Sequence, residues 1–476
     1  MEASVQVLLV EDSAELIDVF QHFSSTRGFD LTIATNVKSA IKLVESVEYE
    51  FDVAVCDLKM PSQEGAIDLS LDHGLEVVRR IIEVCPGVPV VVLSAFGTID
   101  IARHMLLQAN KQDVFGTGMP EAMLQYEPKS SGASGALGFL VKFQDELDSI
   151  GDVEVINGGN LTNRQLRTLR IFARRRGGRQ LEYRPLSGGL SGARTGLVTV
   201  KDGAGAQVAR VVSKITRIDR ALEEKDRYRQ CIAGRLGAGA YADLNDEVTA
   251  GCGRTAGLFY SVAESYKLDV FAQLLADESA AALAVRRMQE EMTPWLSGMP
   301  QSPKTWVDIR RELISDEKYA RVISVQDVVE VPESKSLQTF WVTQHGDLHG
   351  ANSLINDSVR PVLIDFGRAG QMTSVLDPIT LELSVLFHAD STYREHPWPE
   401  VAQIDSWDDL DLYLAGCPYP EYVKACREWS LSVAAGVRDL YATIDAYCLR
   451  NMQYDDVNIE RARALQAFAA NKLIES

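Results

Sequence analysis

The stretch "VQVLLVEDS" (Val5–Ser13) decides how the first hundred residues are read. It is an apolar run too short for a buried helix and it ends on two acids. "FDVAVCDLKMP" (Phe51–Pro61) and "VPVVVLSA" (Val88–Ala95) repeat the form, the first with Asp57 at its end and the second with Ser94. Between them lie stretches of helical period, "SAELIDVFQHFSST", "VKSAIKLVESV" and "LEVVRRIIEV". Strand and helix alternating at these lengths predict βαβ units around a parallel sheet buried on both faces. Residues 62–73 and about 101–134 break the rhythm and read as insertions, which makes "GALGFLVK" (Gly135–Lys142) a delayed last strand.

In an open parallel sheet, sites gather at the carboxyl ends of the strands. Glu11, Asp12 and Asp57 would meet there. Three such carboxylates repel one another unless a hard cation neutralises them, and Mg2+ suits carboxylate oxygens. Ser94 and a lysine at the end of the last strand would add a hydroxyl and a positive charge.

This pattern resembles the receiver domain of two-component response regulators. The resemblance implies a flavodoxin-like α/β domain over residues 1–150, with a five-stranded parallel sheet in the order 2-1-3-4-5. It makes Glu11 and Asp12 magnesium ligands beside Asp57, the phospho-acceptor, and gives Ser94, Phe139 and Lys142 as the switch residues. Lys129, in "YEPKS", competes with Lys142 for the lysine's role. A sensor histidine kinase is the implied partner.

Residues 151–182 read as a basic helical connector, because "LTNRQLRTLRIFARRRGGR" (161–179) carries seven arginines. Such a helix could grip nucleic acid. Docking on an acidic neighbour in the same chain is the preferred reading, since the formal charge is −19 and a charge run usually forms a solvated or docking face.

Further on, "HGDLHGAN" (His345–Asn352) is followed thirteen residues after Asn352 by Asp365 in "VLIDFG". The two histidines lack the HExxH spacing and the third ligand that zinc requires. Phosphoryl transfer needs a carboxylate for the attacking hydroxyl and oxygen ligands for magnesium. Asp347, Asn352 and Asp365 supply those types. Upstream, "SGGLSGARTG" (187–196) offers Gly188, Gly189 and Gly192 to phosphates, and Lys214 in "RVVSKI" offers a cation.

This run resembles the aminoglycoside and choline phosphotransferase branch of the protein-kinase-like fold. The resemblance implies an α+β bilobal domain with an N-lobe over 183–265 and a mostly helical C-lobe over 266–476. It makes Asp347 the catalytic base, Asn352 and Asp365 magnesium ligands, and Lys214 the ATP-phosphate lysine held by Glu224, with Glu223 the alternative. His345 becomes a loop brace and His349 a structural neighbour. "LDPITLELSVLFH" (376–388) further resembles the ternary-complex-associated subgroup.

The bulk properties fit several folded domains: 476 residues, 46% hydrophobic and 24% charged. The negative charge argues against nucleic acid or an anionic membrane as partner. Seven scattered cysteines without a CxxC pair and no stretch long enough to span a bilayer predict a cytoplasmic protein. The expected function is a signalling protein whose receiver takes phosphate on Asp57 and regulates an ATP- and Mg2+-dependent phosphotransferase acting on a protein or small-molecule acceptor. The alternatives are a non-catalytic scaffold with a pseudokinase output, and a small-molecule phosphotransferase carrying a regulatory receiver. A homodimer is compatible with any of these.

Overall fold

The computed structural model describes residues 4–95, 110–186, 193–263, 266–296 and 298–476. The chain divides into two compact units, residues 1–222 with 244–261 and residues 223–243 with 262–476.

The first unit opens with five parallel strands, β1 (Gln6–Val10), β2 (Asp30–Ala34), β3 (Val53–Asp57), β4 (Val90–Ser94) and β5 (Leu124–Pro128), in the order β2-β1-β3-β4-β5. The three apolar runs are β1, β3 and β4. Alternate side chains point to opposite faces, so Val7, Leu9, Val53 and Val55 enter one core while Leu8, Val10, Ala54 and Cys56 enter the other. The first core takes Phe20 of α1 (Ala14–Arg27); the second takes residues of α2 (Val37–Glu45) and α3 (Leu71–Val84).

Two sequence expectations change here. "GALGFLVK" is not a strand but part of α4 (Ser134–Ile150). Its buried residues, Ala136, Leu140, Phe143, Leu147 and Ile150, recur every three or four positions and line one helical face. The fifth strand is "LQYEP", at the sheet edge, where Leu124 is the one buried residue. The stretch at 62–73 also shortens, because α3 begins at Leu71, capped by the Ser70 hydroxyl.

The connector is not helix alone. It holds β6 (Glu154–Ile156) and α5 (Asn163–Arg175). A second, six-stranded sheet follows from β7 (Gln180–Pro185), β8 (Arg194–Lys201), β9 (Gln207–Arg217), β10 (Asp243–Val248) and β11 (Thr255–Ser261), in the order β10-β11-β9-β8-β7-β6. One apolar cluster runs from Leu9 and Leu93 through Leu140 and Phe143 to Leu169, Phe172, Val198 and Phe259. Phe172 of α5 stacks on Phe259 of β11 with ring centroids 3.9 Å apart.

The arginines of α5 are spent on acids of their own unit. Arg164 and Arg167 reach Asp52 Oδ1 at 3.2 and 2.8 Å, and Arg164 also pairs with Glu50. Arg175 bridges Asp113 and Asp246 at 3.1 and 2.6 Å, and Arg174 faces Glu146 at 3.3 Å. Asp52 is 2% exposed, so it depends on these cations for its charge.

The second unit is mainly helical. The helix α6 (Ile218–Arg227) crosses into it at residue 223. Two three-stranded sheets follow: β12 (Tyr266–Asp269), β15 (Ser353–Asn356) and β16 (Pro361–Leu363) form one, while β13 (Gln301–Thr305), β14 (Ser336–Gln344) and β17 (Gly370–Thr373) form the other. At the centre lies α11 (Leu376–Phe387), buried at every residue, as expected of a helix apolar on all sides. Its one glutamate, Glu382, is held in two hydrogen bonds by Arg427 at 2.8 and 3.1 Å. Among the described residues no helix is long and apolar enough to cross a membrane.

Candidate functional site

Two clusters of polar side chains stand out, one in each unit. In the first, Glu11 and Asp12 follow β1 and Asp57 ends β3; their ligand atoms all lie within 4.8 Å of one another. Lys129, directly after β5, places Nζ 2.8 Å from Asp57 Oδ2 and 2.8 Å from Glu11 Oε2. Burial raises the Glu11 pKa, a shift that Lys129 opposes and Asp57 reinforces. Burial works to lower the Lys129 pKa, but its bonds to Asp57 and Glu11 outweigh that and raise it. Three carboxylates around a single ammonium leave negative charge in excess, and oxygen ligands this close suit a hard divalent cation.

The surrounding backbone fixes this geometry. Asp57 is in register with Leu93, and Ser94 with Pro128, so Ser94 and Lys129 come to the same sheet end as Asp57. Ser94 is fully buried, and its carbonyl accepts a hydrogen bond from the Tyr126 hydroxyl at 3.2 Å. Gly74 of α3 approaches so closely that a Cβ would lie 2.4 Å from the Asp57 carbonyl oxygen and 2.3 Å from Leu58 Cα. Any larger residue there would push the Asp57 backbone aside.

In the second unit, the loop after β14 carries Asp347. Its frame is Asp377, at the start of α11, which accepts the N–H groups of His345 and Gly346 at 2.7 and 2.9 Å. Burial raises the Asp377 pKa to about 6. The His345 ring bonds the Ile364 carbonyl through Nε2 at 2.9 Å. The His349 ring stacks on His388 at 4.0 Å, and burial pushes its pKa down to about 3, so it is a neutral imidazole at pH 7. Gly346 has φ +77°, and a Cβ on it would meet the Arg368 carbonyl at 2.5 Å.

Asn352 donates Nδ2 to the Asp347 carbonyl at 2.8 Å. Ile364 N–H bonds the Asn352 carbonyl at 3.0 Å, and the β15–β16 hairpin pairs Ser353 with Leu363. Asn352 thus sits one residue from Asp365, which adopts the left-handed φ of +65°, rare for a residue with a Cβ. The Asp347 carboxylate is about a quarter exposed and takes Arg450 Nη2 at 2.8 Å. Burial alone would raise its pKa; the Arg450 and Arg368 guanidiniums hold it well below the usual carboxylate range.

Residues 7–116 match the model of the response regulator receiver domain family. A response regulator receiver domain stands at the N-terminus. The transcriptional regulatory protein ZraR of Klebsiella oxytoca is 26% identical over 102 residues, covering 21% of this chain and 20% of that protein. This chain thus spans about a fifth of the length of that relative. Among solved structures, a CheY-like receiver from Methanospirillum hungatei matches 30% of this chain and 95% of its own at 17% identity and a TM-score of 0.23. The receiver of a Pseudomonas aeruginosa sensor histidine kinase, with magnesium in its active site cleft, matches 28% and 95% at 19% identity and 0.20. An ethanolamine kinase of Plasmodium vivax matches 61% and 81% at 11% identity and 0.31.

Within the receiver, the structure brings Glu11, Asp12, Asp57 and Ser94 to one end of the sheet, as their strand-end positions predicted. It does not bring Lys142 or Phe139 there. Lys142 lies on the exposed side of α4, paired with Glu121 at 2.8 Å, and Phe139 packs beside Phe143 on the same helix. Lys129 takes the lysine's place and Tyr126 is the aromatic beside Ser94. The short spacing "YEPK" was the available signal. A receiver implies a histidine kinase or another phosphodonor as partner.

Of the other predicted residues, Lys214 is buried on β9. On α6, Glu224 is buried and Glu223 exposed, which favours Glu224 as the inward-facing acid. Gly188, Gly189 and Gly192 lie outside the described residues.

Proposed function

We propose that the chain is a two-component signalling protein in which the receiver accepts a phosphoryl group on Asp57 and regulates a kinase-like phosphotransferase. The observation that carries the receiver's part is the Lys129 ammonium shared between Asp57 and Glu11. It marks where the negative oxygens of a phosphoryl group would find their counter-charge. Asp57 attacks the phosphorus, the bond to the donor nitrogen breaks, and the donor imidazole leaves. Mg2+ bound by Glu11, Asp12 and Asp57 would neutralise phosphoryl charge.

For the output, the reading rests on the loop that Asp377 holds and on the hairpin that sets Asn352 beside Asp365. Lys214 and Gly188, Gly189 and Gly192 are assigned to ATP, and Asn352 and Asp365 to Mg2+. The acceptor hydroxyl attacks the γ-phosphorus, the β–γ bridging P–O bond breaks, and ADP leaves while the hydroxyl proton passes to Asp347. An aspartate with so low a pKa is a poor early base. In the loose transition state of phosphoryl transfer it serves chiefly to orient the hydroxyl.

A second reading has its own support. Arg450 already occupies the Asp347 carboxylate, which suits a non-catalytic scaffold. Two measurements test the proposal. Beryllofluoride with Mg2+ is expected to bind the wild type and not Asp57→Asn, and Mg-ATP is expected to bind the wild type and not Lys214→Ala. Equal beryllofluoride binding would remove Asp57 from its role, and no nucleotide binding would remove the kinase.

A further inference from the structure

The charge around Asp347 is opposite to that around Asp57. Arg450 gives Nη2 to Asp347, while its Nη1 is buried and, among the described residues, has no hydrogen-bond partner. A buried guanidinium N–H left unpaired is costly, so a ligand that filled this position would recover that cost. Arg368, whose carbonyl lies against Gly346 and whose Nη2 donates to the Glu312 carbonyl at 2.5 Å, acts electrostatically on both Arg450 and Asp347. Burial and Arg450 press its pKa down to about 10, which leaves it a cation at pH 7. Two cations thus act on one partly exposed carboxylate, Arg450 through a direct bond and Arg368 electrostatically.

We propose that Arg450 and Arg368 form an anion site beside Asp347 that takes a phosphate-type group. That group is either the phosphoryl in transit or an anionic substituent of the acceptor. This rests on, and narrows, the kinase-like reading: a polycationic acceptor of the aminoglycoside kind would be repelled, and an acceptor carrying phosphate or carboxylate near its hydroxyl would be held. Arginine suits the task because its planar fork gives two donors to an oxyanion, where lysine acts as a point charge. Asp347 then competes with the ligand for Arg450.

That competition gives the test a distinctive sign. Inorganic phosphate is titrated calorimetrically into the full-length chain carrying Asp57→Asn, so that the receiver contributes nothing. Adding Asp347→Asn, which frees Arg450, should tighten phosphate binding by roughly tenfold, as expected for release of one charge-assisted pair. Arg450→Gln should weaken it by at least about tenfold, with Arg450→Lys between. The lysine variant and Asp347→Asn carry the test if the glutamine variant fails to fold. No phosphate binding in the presence or absence of Asp347→Asn, or binding indifferent to Arg450, overturns the site.

Two further arms distinguish the source of the anion. Displacement of phosphate by a non-hydrolysable Mg-ATP analogue, but not by Mg-ADP, assigns the site to the transferred phosphoryl. Binding undisturbed by either assigns it to the acceptor. Phosphate binding in a chain that takes no nucleotide would leave the anion site standing and the kinase reading fallen.

Discussion

Asp57 and Asp347 each have a cation at 2.8 Å, yet they are built for opposite visitors. Lys129 is shared between Asp57 and Glu11, with Asp12 adding a third carboxylate, so the receiver cluster has spare negative charge and suits a divalent cation. Asp347 is bonded by Arg450 and acted on electrostatically by Arg368, so its surroundings have spare positive charge and suit an oxyanion. A strand-end aspartate and a loop aspartate thus differ less in themselves than in the sign of what surrounds them. Under the proposed function, the receiver would need a cation before a phosphoryl group could approach. The second cluster supplies the counter-charge from its own side chains.

The comparison can be broken at several places. The largest effect is expected at Asp52, which lies just before β3 and binds Arg164 and Arg167. Asp52→Ala leaves Arg164 with Glu50 alone and takes from Arg167 its 2.8 Å carboxylate, and should cost the first unit about 3–5 kcal/mol, read as a loss in denaturant midpoint. A loss below about 1 kcal/mol would mean the α5 arginines hold their place without Asp52.

Next comes the lysine. Lys129→Met should destabilise the first unit by roughly 1–3 kcal/mol, because three carboxylates would be left facing one another. Added Mg2+ should restore more stability to this variant than to the wild type. Lys142→Met, on an exposed pair, should stay within about 0.5 kcal/mol. Equal effects of the two substitutions would contradict the assignment of Lys129.

The smallest effect is a pH dependence in the second unit. Asp439, on the helix α15 (Val437–Asn451), accepts from Thr339 and Thr373 at 3.0 and 2.5 Å, and burial raises its pKa to about 6. Its folded pKa lies above the unfolded value, so its contribution is full below about pH 4 and is lost as pH rises through 6. Asp439→Asn stays neutral, and the threonine hydroxyls can turn to accept from it. The variant should unfold later than wild type at pH 8, by roughly 1–2 kcal/mol, and together with it at pH 4. A gain of the same size at both pH values would show that Asp439 does not titrate.

Much of the first cluster was legible in the sequence because its acids end apolar runs, and the end of a buried parallel strand is a position that pattern alone can find. The fifth strand escaped for the same reason. At the sheet edge "LQYEP" needs only Leu124 inside, so it has no continuous apolar run, while "GALGFLVK" has one and belongs to a helix. Lys142 and Phe139 were carried to the wrong place with it. In the second cluster Asp347, Asn352 and Asp365 were singled out from local spacing. Arg450 was not, because it comes from a helix 103 residues beyond Asp347, and no sequence period links the two. The α5 arginines were expected to dock on acids of the chain, but their partners Asp52, Asp113 and Asp246 are also far away in sequence.

The central claim is that the second unit transfers phosphate with Asp347 at the reacting hydroxyl. Purified chain is incubated with γ-labelled ATP, Mg2+ and a whole-cell extract, and labelled protein and labelled small molecules are counted for wild type and Asp347→Ala. The account predicts label above the extract background with wild type, reduced by roughly 10²–10⁴-fold with Asp347→Ala. Label that is independent of Asp347, or none above background from a chain that binds Mg-ATP, would contradict it.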